Sequence, residues 1–149
     1  MPISDSLVVA LMYEGPSGSH ACSREVVDAW GCETDAAIQA ALDNARRLGP
    51  WMFDRGPDGL LVSHAGEQLG AALLRFDELL GEVQFRGEPV VMVPDAKLLL
   101  VADSADERCI AAMLKLAANC LAGRGLSGTA LRRTHEELRR YDPSDASLW

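Results

Sequence analysis

The stretch "EGPSGSHACSRE", from Glu14 to Glu25, sets three serines, a histidine and a cysteine among two glycines and a proline. Side chains of these types serve phosphate binding, nucleophilic catalysis or metal ligation. A phosphate cradle requires G-x-x-x-x-G-K-[ST], because backbone amides and a lysine must converge on the phosphates. Gly15 and Gly18 are too close for it and no lysine follows. A nucleophile elbow requires G-x-S-x-G between a strand and a helix, and Gly15-Pro16-Ser17-Gly18-Ser19 has those letters shifted. A nucleophile with its base stays open: Ser17, Ser19 or Cys22 with His20, or Ser19 or Cys22 with His64, the base being brought by the fold rather than by adjacency. Gly, Pro and Ser are also what a turn demands, and Ser23 is suited to cap a following helix. The stretch therefore reads as a turn with no catalytic residue, the alternative being a small hydrolase built on Ser19 or Cys22 and a histidine.

Metal chemistry has a weaker basis. His20, Cys22 and Cys32, with His64 or Cys109 as a fourth ligand, would suit zinc, and the H-x-C spacing puts two of them on one strand face. Structural zinc sites show a second closely spaced pair, which this chain lacks, so neither metal nor cofactor is expected. Cys109 and Cys120 read as small buried hydrophobes. "DRGPDG" begins like a calcium loop, but Gly56 stands where a ligand belongs and Ala65 where the bidentate glutamate would be. The three carboxylates of "DSADE" (103–107) could hold a magnesium ion, but a capping box and the helix dipole explain them without one. Those of Asp77, Glu78 and Glu82 suit a solvated helix face, and neither His64 nor His135 has a recognisable nucleophile motif near it in sequence.

The elements that would position these residues read as hairpin-then-helix, three times over. "SLVVALMYEG" (6–15) is strand-like, with "GSHAC" as its return. Ser23 opens a short helix that Gly31 closes, and Thr34 is the expected N-cap of a helix with Ile38, Leu42 and Ala45 on one face, ended by Gly49-Pro50. "WMF" and "LLVSH" flank the turn-rich "DRGPDG", and Leu69, Leu73, Phe76 and Leu80 predict a helix over about residues 66–80. "PVVMV" and "KLLLVA" flank "PDA", after which Ser104 and Glu107 form an S-x-x-E capping box. The helix from there to Ala122 carries two adjacent apolar stripes and should be the most buried. "GPDGLLV" and "VPDAKLLLV" echo each other. "TALRRTHEELRRY" predicts an amphipathic helix anchored by Leu131, Leu138 and Tyr141.

Successive antiparallel hairpins, each followed by a helix packed on one sheet face, make the fold class α+β. The expected division is a single domain over 1–123 and a basic C-terminal helix and tail over 124–149. The sheet's second face must then be covered by another helix, a second subunit or a partner.

At 149 residues, with 48% apolar and 24% charged residues, the chain has enough material to bury a core without staples. No apolar run reaches bilayer length, and "MPISD" carries an acid where a signal peptide is basic. A soluble cytoplasmic protein with reduced cysteines is expected. The net charge is −8, from 14 basic and 22 acidic residues. Residues 124–149 hold five of the bases and four of the acids, so the acidity lies in the body. An acidic body repels phosphate backbones, so neither nucleic acid nor membrane is the expected partner. A protein partner or self-association as a homodimer is.

"SREVVDAWGCETDAAIQAALDNARR" resembles a stretch of the YtpQ-like family of bacterial proteins of unknown function, in which a short helix ending in Trp-Gly leads into a longer one with Ala-Leu-Asn near its end. Here these are Trp30-Gly31 and Ala41-Leu42-Asp43-Asn44. "GEPVVMVPDAKLLLVADSADE" resembles that family's penultimate hairpin. The likeness spans about residues 7–122 and implies the C-terminal half of longer members; it brings no catalytic residue. The order of elements is also similar, as an analogy of fold, to small acidic type III secretion chaperones, which are dimeric. The function expected is a non-enzymatic protein-binding or regulatory module, in which an apolar sheet face or an exposed helix stripe makes the contact.

Overall fold

Residues 89–95 read Pro-Val-Val-Met-Val-Pro-Asp, with no charged side chain before the last position. Successive strand residues point to opposite faces, so such a strand must be covered on both. The computed structural model describes residues 2–4, 7, 8, 10–48, 52–64, 70–76, 78–81, 83–123, 125–134 and 137–142, and it covers both.

In chain order the elements are β1 (Pro2–Ser4), β2 (Leu7–Val8), β3 (Met12–Gly15), β4 (Gly18–Ala21), α1 (Arg24–Ala29) and α2 (Thr34–Arg47). There follow β5 (Asp54–Arg55), β6 (Leu61–His64), α3 (Gly70–Leu73), α4 (Glu78–Gly81), β7 (Pro89–Asp95), β8 (Leu98–Asp103), α5 (Glu107–Leu121), β9 (Leu131–Arg133) and β10 (Leu138–Arg140). Six strands form one antiparallel sheet in the order β10-β9-β7-β8-β6-β5. The β1–β2 and β3–β4 pairs are separate two-stranded ribbons. The echoing segments lie side by side, with Leu61 opposite Val101 and Val62 opposite Leu100.

The sheet's two faces have separate cores. Val91, Val93, Leu99, Val101, Leu61 and Leu131 pack with Ala45 of α2 and with Leu73, Leu74 and Phe76. On the other side Val90, Met92, Leu100 and Ala102 pack with Cys109, Ile110, Met113 and Ala117 of α5. The architecture is α+β, and the helices are divided between the faces rather than gathered on one. The continuous apolar runs of β7 and β8 require this, and the chain's own helices supply the cover.

The C-terminal segment departs from its expected form. Residues 131–133 and 138–140 are strands, not a basic helix, and β9 pairs with β7 through Val90–Arg132 and Val91–Leu131. This makes both strands part of the main sheet. A helix holding only three apolar anchors would bury little, whereas a hairpin on the edge of β7 satisfies that strand's backbone. Leu131 still reaches the core, and Leu138 packs against it.

Other expectations shift locally. The helix predicted over 66–80 is two short turns, α3 and α4; residues 65–69, 77 and 82 lie outside the described residues. Thr34 is the first residue of α2 and Glu33 its cap, without a side-chain bond. The cap of α5 is Asp106, which accepts from the amides of Arg108 and Cys109, in place of the Ser104–Glu107 box. Ser23 does stand at the N-cap of α1, and the Gly31 amide donates to the Asp28 carbonyl at that helix's end. Among the described residues no helix is long and apolar enough to cross a membrane.

Candidate functional site

The opening stretch is a hairpin. β3 and β4 are joined by Pro16 and Ser17, with Gly18 at φ +110, a conformation that side chains disfavour. Ser17 Oγ and His20 Nε2 are hydrogen-bonded at 2.8 Å on the exposed side of this turn. Ser19 points to the other face of β4 and donates to the Glu14 carboxylate. Cys22 is half-buried, with Sγ 3.8 Å from the Ser23 carbonyl, and its hydrogen bond goes there rather than to His20. His64 stands on β6, opposite Leu98, in the six-stranded sheet.

The four candidates, Ser19, His20, Cys22 and His64, are thus distributed rather than gathered. The structure does bring His20 to Ser17, one of the serines named with it, rather than to Ser19, and among the described residues the ring has no second hydrogen-bond partner to orient it. A working nucleophile and base need that orienting group and a cleft beside the reacting atom.

The carboxylates proposed for cations are engaged by backbone. Asp103 accepts from the amides of Arg86 at 2.7 Å, Gly87 at 2.9 Å and Ala105 at 2.9 Å. Burial raises its pKa, but the amides and the Arg86 charge outweigh that and hold it below the ordinary carboxylate value. "DRGPDG" is β5 followed by most of the loop to β6, closed by the Gly56 amide on the Leu60 carbonyl; Ala65 lies outside the described residues. Burial raises the Cys109 thiol pKa. Among the described residues no group of three or more His, Cys, Asp or Glu side chains is placed to hold a metal ion. His135 and Glu136 also lie outside the described residues.

Among the described residues there is an open groove of about 550 Å³ between β3 and α2. Its floor is a small-residue face of α2, formed by Ala36, Ala37, Ala40 and Ala41 and ending at Asn44. Its walls are Leu11, residues 12–14 of β3, Trp30 at the end of α1, and Cys22 and Cys32. Tyr13 and Trp30 meet edge to face, with centroids 5.9 Å apart and ring planes at 89°. Trp30 is 53% exposed and Met12 47%. Three consecutive residues of β3, with Leu11 just before them, line the groove, so the strand presents its edge to it as well as its side chains.

α2 can serve two surfaces because its apolar positions fall into two sets. Ile38, Leu42 and Ala45 were legible as the core face, and Leu42 and Ala45 do pack in the core. The alanines lie about a third of a turn away, and the only signal for them was the run "DAAIQAALDNA", in which small residues flank the core positions. Glu14, Glu25, Asp28, Glu33, Asp35 and Asp43 stand against Arg24, Arg46 and Arg47 over residues 10–48, so the surround is acidic.

No protein-family model, no curated protein and no solved structure matches the chain.

Proposed function

We propose that this protein is a non-enzymatic protein-binding module, acting in the cytoplasm with its cysteines reduced, and that its contact surface is the groove between β3 and α2. The observation that carries the reading is the groove itself. Exposed Met12 and Trp30 stand beside an alanine floor that lets a ligand backbone approach closely. Two surfaces were expected to serve a partner, a bare sheet face or an exposed helix stripe. Both faces of the central sheet carry packed cores, which leaves the stripe. Exposed aromatic side chains held in place by one another give large contact area at low entropic cost. The Ser17–His20 pair lies outside the groove lining. The resemblance to the YtpQ-like family brings no catalytic residue, which accords with a binding role.

Selection from a displayed random peptide library on the wild-type protein, with counter-selection on Ala40→Arg, tests the proposal. Ala40 is exposed on the groove floor, so the substitution fills the groove with little strain on the fold. Enriched peptides should bind the wild type and lose Ala40→Arg. Peptides that bind both proteins alike, or no enrichment, would remove the groove from the account.

A further inference from the structure

We infer that the groove takes its partner as an added β-strand on the outer edge of β3, and that the strand alternates basic and apolar side chains. The inference rests on the binding role proposed for the groove and specifies its occupant.

Backbone pairing provides the first argument. Met12, Tyr13, Glu14 and Gly15 stand opposite Ala21, His20, Ser19 and Gly18, and the Cys22 amide donates to the Leu11 carbonyl at 2.8 Å. Antiparallel pairs alternate between those that exchange both backbone bonds and those that exchange none. Leu11, Tyr13 and Gly15 therefore direct their amides and carbonyls to β4, while Met12 and Glu14 direct theirs outward. Among the described strands β3 has β4 as its one neighbour. Two amides and two carbonyls are left at the groove wall, spaced as a ladder for an incoming strand.

Shape and charge fix the side chains of that strand. Its residues on one face would lie beside Tyr13, whose ring meets Trp30, and on the other beside Met12 and Glu14. The first position favours an apolar side chain, and the second favours a base next to the Glu14 carboxylate. Six acids against three bases over residues 10–48 extend the same preference to the flanks. A second copy of the chain is disfavoured as occupant, because β3 pairing with β3 would bring two acidic surrounds together on chains of net charge −8.

Four short peptides test this against the full chain by backbone amide hydrogen exchange and titration. They are alternating valine–lysine, its valine–glutamine and valine–glutamate counterparts, and the valine–lysine peptide N-methylated on alternate residues. The lysine peptide should bind at least about tenfold more tightly than the glutamate one, weaken with salt, and slow exchange at the Met12 and Glu14 amides by about tenfold or more, with Tyr13 unchanged. N-methylation on the pairing side should abolish binding. Equal affinity for the lysine and glutamate peptides would overturn the charge assignment and leave the groove reading intact. Binding without slowed exchange at Met12 and Glu14, or a dimer by light scattering that protects them without peptide, would overturn strand addition by a partner. Lysine-peptide binding that persists in both Trp30→Ala and Ala40→Arg would dismiss the groove reading itself.

Discussion

Tyr13 and Trp30, carried by different elements, touch edge to face at 5.9 Å and 89°, and this contact joins the hairpin to the end of α1. Tyr13 also lies against His20 across the ribbon, with centroids 5.4 Å apart. The β3–β4 ribbon pairs with no strand of the main sheet, so a ring contact of this kind helps set where its edge stands. An aromatic pair contributes about 0.5–1.5 kcal/mol beyond area burial.

Trp30→Ala should therefore cost only about 1 kcal/mol of stability in urea unfolding, since the indole is half-exposed. Met113→Ala, at a side chain fully buried between α5 and the sheet, should cost about 2–5 kcal/mol. Equal costs would mean that the groove wall is a core element and not a surface one.

Asp103 should give the fold an acid-sensitive component. A carboxyl whose pKa is lower in the folded than the unfolded chain stabilises the fold above its unfolded value, and that contribution is lost as pH falls through the folded one. Stability should decline below about pH 4, and Asp103→Asn should flatten that decline. Asp103→Ala should lose about 2 kcal/mol at neutral pH, because three amides lose a charged acceptor. Urea midpoints across pH check both.

Gly87 should not tolerate a side chain. A Cβ there would lie 2.4 Å from Ser104 Oγ and 2.9 Å from the Ala105 amide nitrogen. The same segment holds the Gly87 bond to Asp103 and the Glu88 amide bond to Ser104. Gly87→Ala should destabilise by about 1–3 kcal/mol, measured by thermal or urea unfolding.

Thiol labelling of the native protein should proceed in the order of exposure, Cys32 before Cys22, with Cys109 modified only on unfolding. A groove-bound peptide should protect Cys22 and Cys32 together, since both line it, and leave Cys120 unchanged. Mass spectrometry of timed reactions reads this directly.

Elements with strong local signals were legible in the sequence. The hairpin turns at "GPSG" and "GPDG", the third hairpin (whose turn falls at Ala96–Lys97, with Pro94 and Asp95 still in β7) and the two long helices follow from glycine and proline placement and from period-3.6 stripes. The terminal segment was not, because Leu131 and Leu138 are spaced alike for a helix stripe and for two strands of a hairpin, and only the open edge of β7 decides between them. The cap of α5 fell to Asp106 because Ser104 is engaged by the Glu88 amide. The groove escaped notice because alanine carries little hydrophobic signal, and its walls come from three elements that only folding brings together.

The claim at the centre of this account is that partners sit between β3 and α2. A photo-cross-linking residue at Ala40, on the groove floor, compared with one at Lys115, on the exposed side of α5, tests it most directly with peptides selected on the wild-type protein. Cross-links from position 40, abolished by Trp30→Ala, and none from position 115 are the predicted result. Cross-links from position 115, or equal yields from the two, would contradict it.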